Sequence, residues 1–287
     1  MKRFVSLALL LLFLLVSAFM LDFFTGYSVH RDLIYDDERA MDIYLPSDTE
    51  GISGAVLFIH GGGWMSGDKS EEDIRCRIVA NGGYVAATLN YTLLTDETED
   101  FYTIDLVMDE IDLAIERLVE VSAEQGIDIQ SVALSGYSAG GHIALLYAYT
   151  RAEDAPLDVA FVSSMAGPAD ISYEVWGGSA AVIGSWLSGE EVTAEMAESG
   201  EADEILSLIS PVENITSDSP PTMLIQGALD NVVPPRNAES LVAHLQERGV
   251  DYDSLILSNS DHSLLQNPLG HLSYYLLLLN YCGRYLK

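Results

Sequence analysis

The chain has 287 residues, 49% of them hydrophobic, enough to bury one large core. Its 44 acidic residues outnumber 13 basic ones, for a formal charge of −31, and residues 152–235 hold 15 Asp/Glu before the next basic residue, Arg236. A surface without clustered cations argues against nucleic acid as a partner, and it repels polyanionic substrates.

The acidity reads either as a solvated, solubilising face or as adaptation to high salt, where cations screen the repulsion. The scarcity of lysine (Lys2, Lys69 and Lys287 only) leans toward the second. In chain order, "MKRFVSLALLLLFLLVSAFML" comes first: two basic residues, then an apolar run over 4–21 broken only by Ser6 and Ser17. Residues 1–26 are therefore expected to be a secretory signal, with Val16-Ser17-Ala18 as the cleavage site, or an uncleaved membrane anchor. In both cases Lys2 and Arg3 stay inside, so residues 27–287 lie outside the cytoplasm, secreted or membrane-anchored through this segment.

Beyond residue 26, strand and helix patterns alternate. Strands are expected at 32–36, 40–46, 54–60, 84–91, 131–136, 158–167, 221–227 and 253–259. Helices are expected at 69–81, 103–125, 139–150, 236–248 and 270–286. Continuous apolar runs such as "GAVLFIH" (54–60) suit strands covered on both faces. The reading is one α/β domain, a mostly parallel sheet of about eight strands with helices on both faces. Residues 171–219, acidic and holding Trp176 and Trp186, are too long for a plain connection between the sixth and seventh strands. They are expected to form a helical insertion over the sheet's edge, either a cap or a surface decoration. Cys76 and Cys282, 206 residues apart, match no metal-ligand spacing. Free buried thiols are expected, with a disulfide as the alternative in an exported chain.

The stretch "LSGYSAGGH" (134–142) supplies the chemistry. Its apolar strand runs straight into Ser138 and a helix follows at once, so the turn at Ser138 is sharp and the flanking glycines relieve its clashes. Such a turn presents the hydroxyl at the carboxyl end of the sheet, beside a helix N-terminus. A serine nucleophile needs a base, and the base an orienting acid. Of six histidines, His262 follows the last strand in a polar loop that reaches back over the sheet's end. His30, His60, His142, His244 and His271 lie in less suitable places. For the acid, Asp230 follows "PTMLIQG" in a similar loop. Asp170 is its rival, and Asp261 is too close to its neighbour to orient it. "HGGGW" (60–64) follows the third strand. There Gly62 and Gly63, with the N–H of Ala139, are candidate donors to an oxyanion, and Trp64 is a candidate substrate contact.

Together, "HGGGWMSGDK" (60–69), "LNYTLL" (89–94), Asp109, "SGYSAGGH" (135–142), "PPTMLIQGALDNVVP" (220–234) and "DH" (261–262) resemble the α/β-hydrolase superfamily. The likeness is to its HGGG-type esterase and lipase branch, which includes hormone-sensitive-lipase-like and polysaccharide-associated esterases. The resemblance covers nearly all of 32–287. It implies an α/β-hydrolase fold, a Ser138–Asp230–His262 triad, a small-molecule ester substrate and no metal or organic cofactor. An amidase or peptidase of the same fold is the enzymatic alternative, and a non-catalytic binding protein the other. The chain departs from the pattern at Gln226, where such families often have histidine, at Thr92, where they often have arginine, and in "TDETEDFY" (95–102). These departures are read as lying outside the triad and bearing on the substrate pocket.

Overall fold

A computed structural model describes residues 26–36 and 38–286, so the expectation for the N-terminal apolar segment lies outside the described residues. Eight strands form one sheet: β1 (Tyr27–Ile34), β2 (Ala40–Pro46), β3 (Gly54–Ile59), β4 (Val85–Leu89), β5 (Ser131–Tyr137), β6 (Asp158–Met165), β7 (Thr222–Gly227) and β8 (Tyr252–Leu257). Their spatial order is β1-β2-β4-β3-β5-β6-β7-β8. The pairs β1/β2 and β2/β4 are antiparallel, and the rest are parallel.

The first strand begins at Tyr27, not at residue 32. It is an edge strand, half exposed, so it lacks the apolar run that reveals the central strands, and its register slips between His30 and Leu33. His30 therefore lies within β1, opposite Ile43. The helix expected at 69–81 starts as a 3₁₀ turn (Lys69–Glu72) and becomes α-helical as α1 (Asp73–Asn81). The other helices are α2 (Ile104–Glu124), α3 (Ala139–Thr150), α8 (Arg236–Arg248) and α9 (Pro268–Tyr285). The connection between β6 and β7 holds α4 (Tyr173–Trp176), α5 (Ser179–Ser188), α6 (Ala194–Ser199) and α7 (Asp203–Ile209).

Alternation along the central strands divides the core in two. Leu57, Ile59, Val132 and Leu134 pack under α2, α3 and α8 residues such as Ile115, Leu145 and Leu241. Val56, Phe58, Ala133 and Phe161 face the other way, toward α1 and α9, where Tyr274, Leu278 and Tyr281 are buried. Cys76 and Cys282 belong to this second cluster and both are free thiols, with burial pushing Cys282 up to about 12.

The insertion over 171–219 is helical. It leaves β6 at the carboxyl end of the sheet and folds back there against α3: His142 of α3 donates from Nε2 to the Ile209 carbonyl at 2.9 Å. Its apolar residues Ile183, Leu187, Leu206 and Ile209 are buried, while Glu190, Glu191, Glu195, Glu198, Glu201, Asp203 and Glu204 face solvent.

Few bases leave few ways to neutralise buried acids. Asp42, fully buried on β2, accepts from Arg31 at 2.8 Å, from Lys69 at 2.6 Å and from the Asp32 amide at 2.9 Å. Burial pulls the Lys69 ammonium down, but its bonds to Asp32 and Asp42 outweigh that and hold it above its usual value. Lys69 also ends the glycine loop that follows β3, and its amide donates to Asn90 Oδ1 at 2.6 Å. Replacing Lys69 by methionine leaves Asp42 with one side-chain cation, itself partly exposed. The expected cost is about 3 kcal/mol, read as a lower urea midpoint with an unchanged slope; an unchanged midpoint would contradict this account.

Candidate active site

The backbone at Ser138 has φ 54 and ψ −120, a conformation that L-residues rarely adopt. It is held by a bond from the Ser138 amide to the Met165 carbonyl (2.8 Å) and by one from the His142 amide to the Ser138 carbonyl (3.1 Å). Two glycines make the turn fit. A Cβ on Gly136 would lie 2.1 Å from the Gly140 carbonyl oxygen, and one on Gly140 would lie 2.1 Å from that of Ile59. No side chain can stand at either position while the backbones stay this close.

The structure brings Ser138, His262 and Asp230 into one chain of hydrogen bonds. Ser138 Oγ lies 2.9 Å from His262 Nε2, and His262 Nδ1 lies 2.7 Å from Asp230 Oδ2. A carboxylate only accepts, so Nδ1 carries the hydrogen and Nε2 is free to accept from the hydroxyl. Asp230 is fixed from behind: Oδ1 accepts from the amides of Val232 and Val233, each at 2.9 Å, and Oδ2 accepts from Gln226 Nε2 at 2.8 Å. Gln226 therefore touches the acid, contrary to the expectation that this departure lies away from it. Thr92 is not in the cavity either; it binds the buried Glu110, which also pairs with Arg39. Arg39, from the β1–β2 turn, also donates to the Thr92 hydroxyl. Asp109, one residue earlier on α2, is exposed and pairs with Arg151.

The base is held by its own backbone as well. Tyr137 donates from its hydroxyl to the His262 carbonyl at 3.0 Å, and the two rings lie 5.3 Å apart. Burial, with Asp230 nearby, pushes the Tyr137 phenol up to about 12, so it keeps its proton for this bond. Gly227 lets the acid and base loops touch, since a Cβ there would lie 2.4 Å from the Ser260 carbonyl oxygen.

The rivals are elsewhere. Asp170 accepts from Ser240 and from the Ser172 amide. Asp261 is bound by Ser263 and Gln266, whose hydrogen bonds hold it below its usual range. His60 is buried and stacked on Tyr91, and its Nδ1 lies 2.7 Å from the Gly61 carbonyl. His244 binds the Ser240 carbonyl within its own helix, and His271 binds the Leu264 carbonyl in the loop before its helix.

Gly62, Gly63 and Trp64 have φ of 111, 62 and 63, so the loop passes through three residues of positive φ in a row. Glycine meets that demand at the first two, and Trp64 is held in it by burial and by the Leu94 amide on its carbonyl (2.8 Å). Among the described residues, the amides of Gly62 and Gly63 donate to no protein acceptor. The Ala139 amide opens α3, where no carbonyl within the helix can accept it. Gly63, Trp64, Ser138 and Ala139 line a cavity of about 290 Å³, whereas Gly62 is exposed and is not part of its wall. The rest of the wall is Pro168, Trp176, Ser179, Val182, Ile183, Trp186, Val232 and Val233. All three tryptophans of the chain thus meet there. The wall has no charged side chain. Sequence reading did not assign Trp176, Trp186 or the valines, because no local motif marks them; the clustering of rare large side chains in an acidic insertion was the available signal. Among the described residues, no group of His, Cys, Asp and Glu is arranged to hold a metal, and no helix is long and apolar enough to cross a membrane.

The BD-FAE sequence profile matches residues 41–245. The chain belongs to the BD-FAE family, an α/β-hydrolase esterase family. The chain is 25% identical over 266 residues to isoprenylcysteine alpha-carbonyl methylesterase ICME of Arabidopsis thaliana, covering 86% of this chain and 60% of that protein. It is 24% identical over 238 residues to esterase LipC of Mycobacterium tuberculosis, covering 77% of this chain and 56% of that protein. The chain therefore spans less than two thirds of the length of these relatives. Among solved structures, a truncated carbohydrate esterase from gut microbiota superposes with a TM-score of 0.74 at 18% identity, over 90% of this chain and 96% of that one. Esterase Est2 of Thermogutta terrifontis superposes with a TM-score of 0.70 at 20% identity, over 91% and 92%. These two likenesses establish the α/β-hydrolase fold.

His142 links this site to acid stability. Burial lowers its imidazole from 6.5 to about 4, so the unfolded chain binds a proton that the folded chain refuses between those values. Stability is therefore expected to fall as pH drops from about 6.5 to about 4, by roughly 3 kcal/mol from this group. Urea titrations across that window should show a shallower loss in His142→Gln, and equal slopes in the two proteins would refute the assignment.

Proposed function

We propose that this chain is an exported esterase that cleaves carboxylic esters through an acyl-enzyme formed on Ser138. The observation that carries the reading is the Ser138–His262–Asp230 hydrogen-bond chain at the wall of an apolar cavity. As Oγ attacks the carbonyl carbon, His262 Nε2 takes its proton, and Asp230 stabilises the charged imidazole. The oxyanion is received by the amides of Ala139 and Gly63, with Gly62 beside them, which need no reorganisation to donate. His262 then returns the proton to the departing alcohol. Water repeats the sequence in reverse and frees the acid and Ser138.

The acyl group stays bonded to Ser138 after the alcohol leaves, so we assign it to the cavity that Ser138 lines. That cavity favours a small, uncharged, apolar acyl group. The names of the relatives, a methylesterase and an esterase, agree with ester substrates. Export rests on the basic pair and apolar run at 2–21.

Ser138→Ala is expected to lower kcat on p-nitrophenyl acetate by about 10⁴-fold or more with an unchanged melting profile, and to abolish labelling by a fluorophosphonate. Substantial residual turnover would refute the mechanism. For acyl chains of two to four carbons, kcat/KM is expected to rise about fourfold per methylene, and Trp186→Ala should flatten that rise; a flat series in the wild type would remove the acyl group from this cavity.

A further inference from the structure

Gln226 lies at the end of β7, 2% exposed, behind the acid and outside the cavity wall. Its Nε2 faces three acceptors: Asp230 Oδ2 at 2.8 Å, the Val233 carbonyl at 3.3 Å and the Gly227 carbonyl at 3.5 Å. Acceptors on all three sides fix which end of the amide points there. The oxygen it reaches is the same Oδ2 that accepts from His262 Nδ1. The other oxygen is occupied by two backbone amides.

We propose that Gln226 is a positioning residue that shares Oδ2 with His262 and so sets the pH at which the base becomes available. The proposal rests on the roles given above to Ser138, His262 and Asp230. A second donor on one oxygen draws off part of the negative charge that the imidazole faces. Without it the whole of that charge acts on His262, which then gives up its proton only at higher pH. The other groups around the imidazole are Ser138, the Tyr137 ring with Arg75 5.7 Å above it, and Asp261, which is turned toward Ser263 and Gln266. None of these contacts involves Gln226. The same amide also reaches the carbonyl of Val233, a cavity residue, so it ties the acid to the wall against which the acyl group would rest.

The test is kcat/KM against pH on p-nitrophenyl acetate for the full-length wild type, Gln226→Met and Gln226→His. Methionine keeps the unbranched shape and loses the donor, so the acid limb should move upward by about half a unit or more. Histidine keeps an N–H donor, so its limb should lie at or below the wild-type position. If near-ultraviolet circular dichroism shows Gln226→Met unfolded, Gln226→Asn carries the same expectation as methionine, since its amide is one methylene short of Asp230. A limb that does not move in the donor-less variant, while Ser138→Ala is inactive, overturns the role of Gln226 alone. A wild type without an acid limb, or an active Ser138→Ala, overturns the functional reading and this one with it.

Discussion

Ser138 holds a backbone conformation that costs of the order of 1–3 kcal/mol for a residue with a side chain, and its surroundings are arranged so that no other conformation fits. Its amide is bound to β6, its carbonyl starts α3, and the glycines on either side bring β5, α3 and the end of β3 within backbone contact. The closeness at Gly140 matters most, because the Ile59 carbonyl there immediately precedes the His60 loop. The strained turn and the glycine loop are therefore one unit: the turn can form only if β3 ends where it does, and the loop then has to leave past Ser138. A Cβ built on Gly61 would lie 3.3 Å from that of Ser138.

Charge is divided by depth. The insertion and the helix faces carry the acids into solvent, while several of the few cations serve the interior: Lys69 and Arg31 on Asp42, Arg39 on Glu110, Arg75 on Glu72. Breaking such a pair leaves an uncompensated buried charge. A chain with 13 bases has little redundancy for replacing them. The cavity is separate from both populations. It is walled mainly by apolar and aromatic side chains, and its polar side-chain groups are the hydroxyls of Ser138 and Ser179 and the indole N–H groups of the tryptophans.

Much of this was legible in the sequence, for reasons that differ by residue. Ser138 stood out because strand, turn and helix are contiguous, so local pattern implied the geometry. His262 and Asp230 were legible through topology: parallel strands put every following loop at one end of the sheet. Topology could not decide between Asp230 and Asp170, since both follow strands at that end; the hydrogen bond of Asp230 to His262, with Asp170 engaged by Ser240 and Ser172, separates them. Trp176 and Trp186 were visible as residues but not as a wall, because a cavity closed by distant segments has no local period. Gln226 was misread because its side chain turns inward along β7, which spacing alone does not disclose.

The convergence of Trp64, Trp176 and Trp186 on one cavity has an optical consequence. In most proteins indole emission averages over unrelated environments. Here every indole in the chain borders the same space, beside Ser138, and none lies elsewhere. The intrinsic fluorescence of the protein is thus a signal from a single place, and a molecule that enters it changes the surroundings of the whole emitting population.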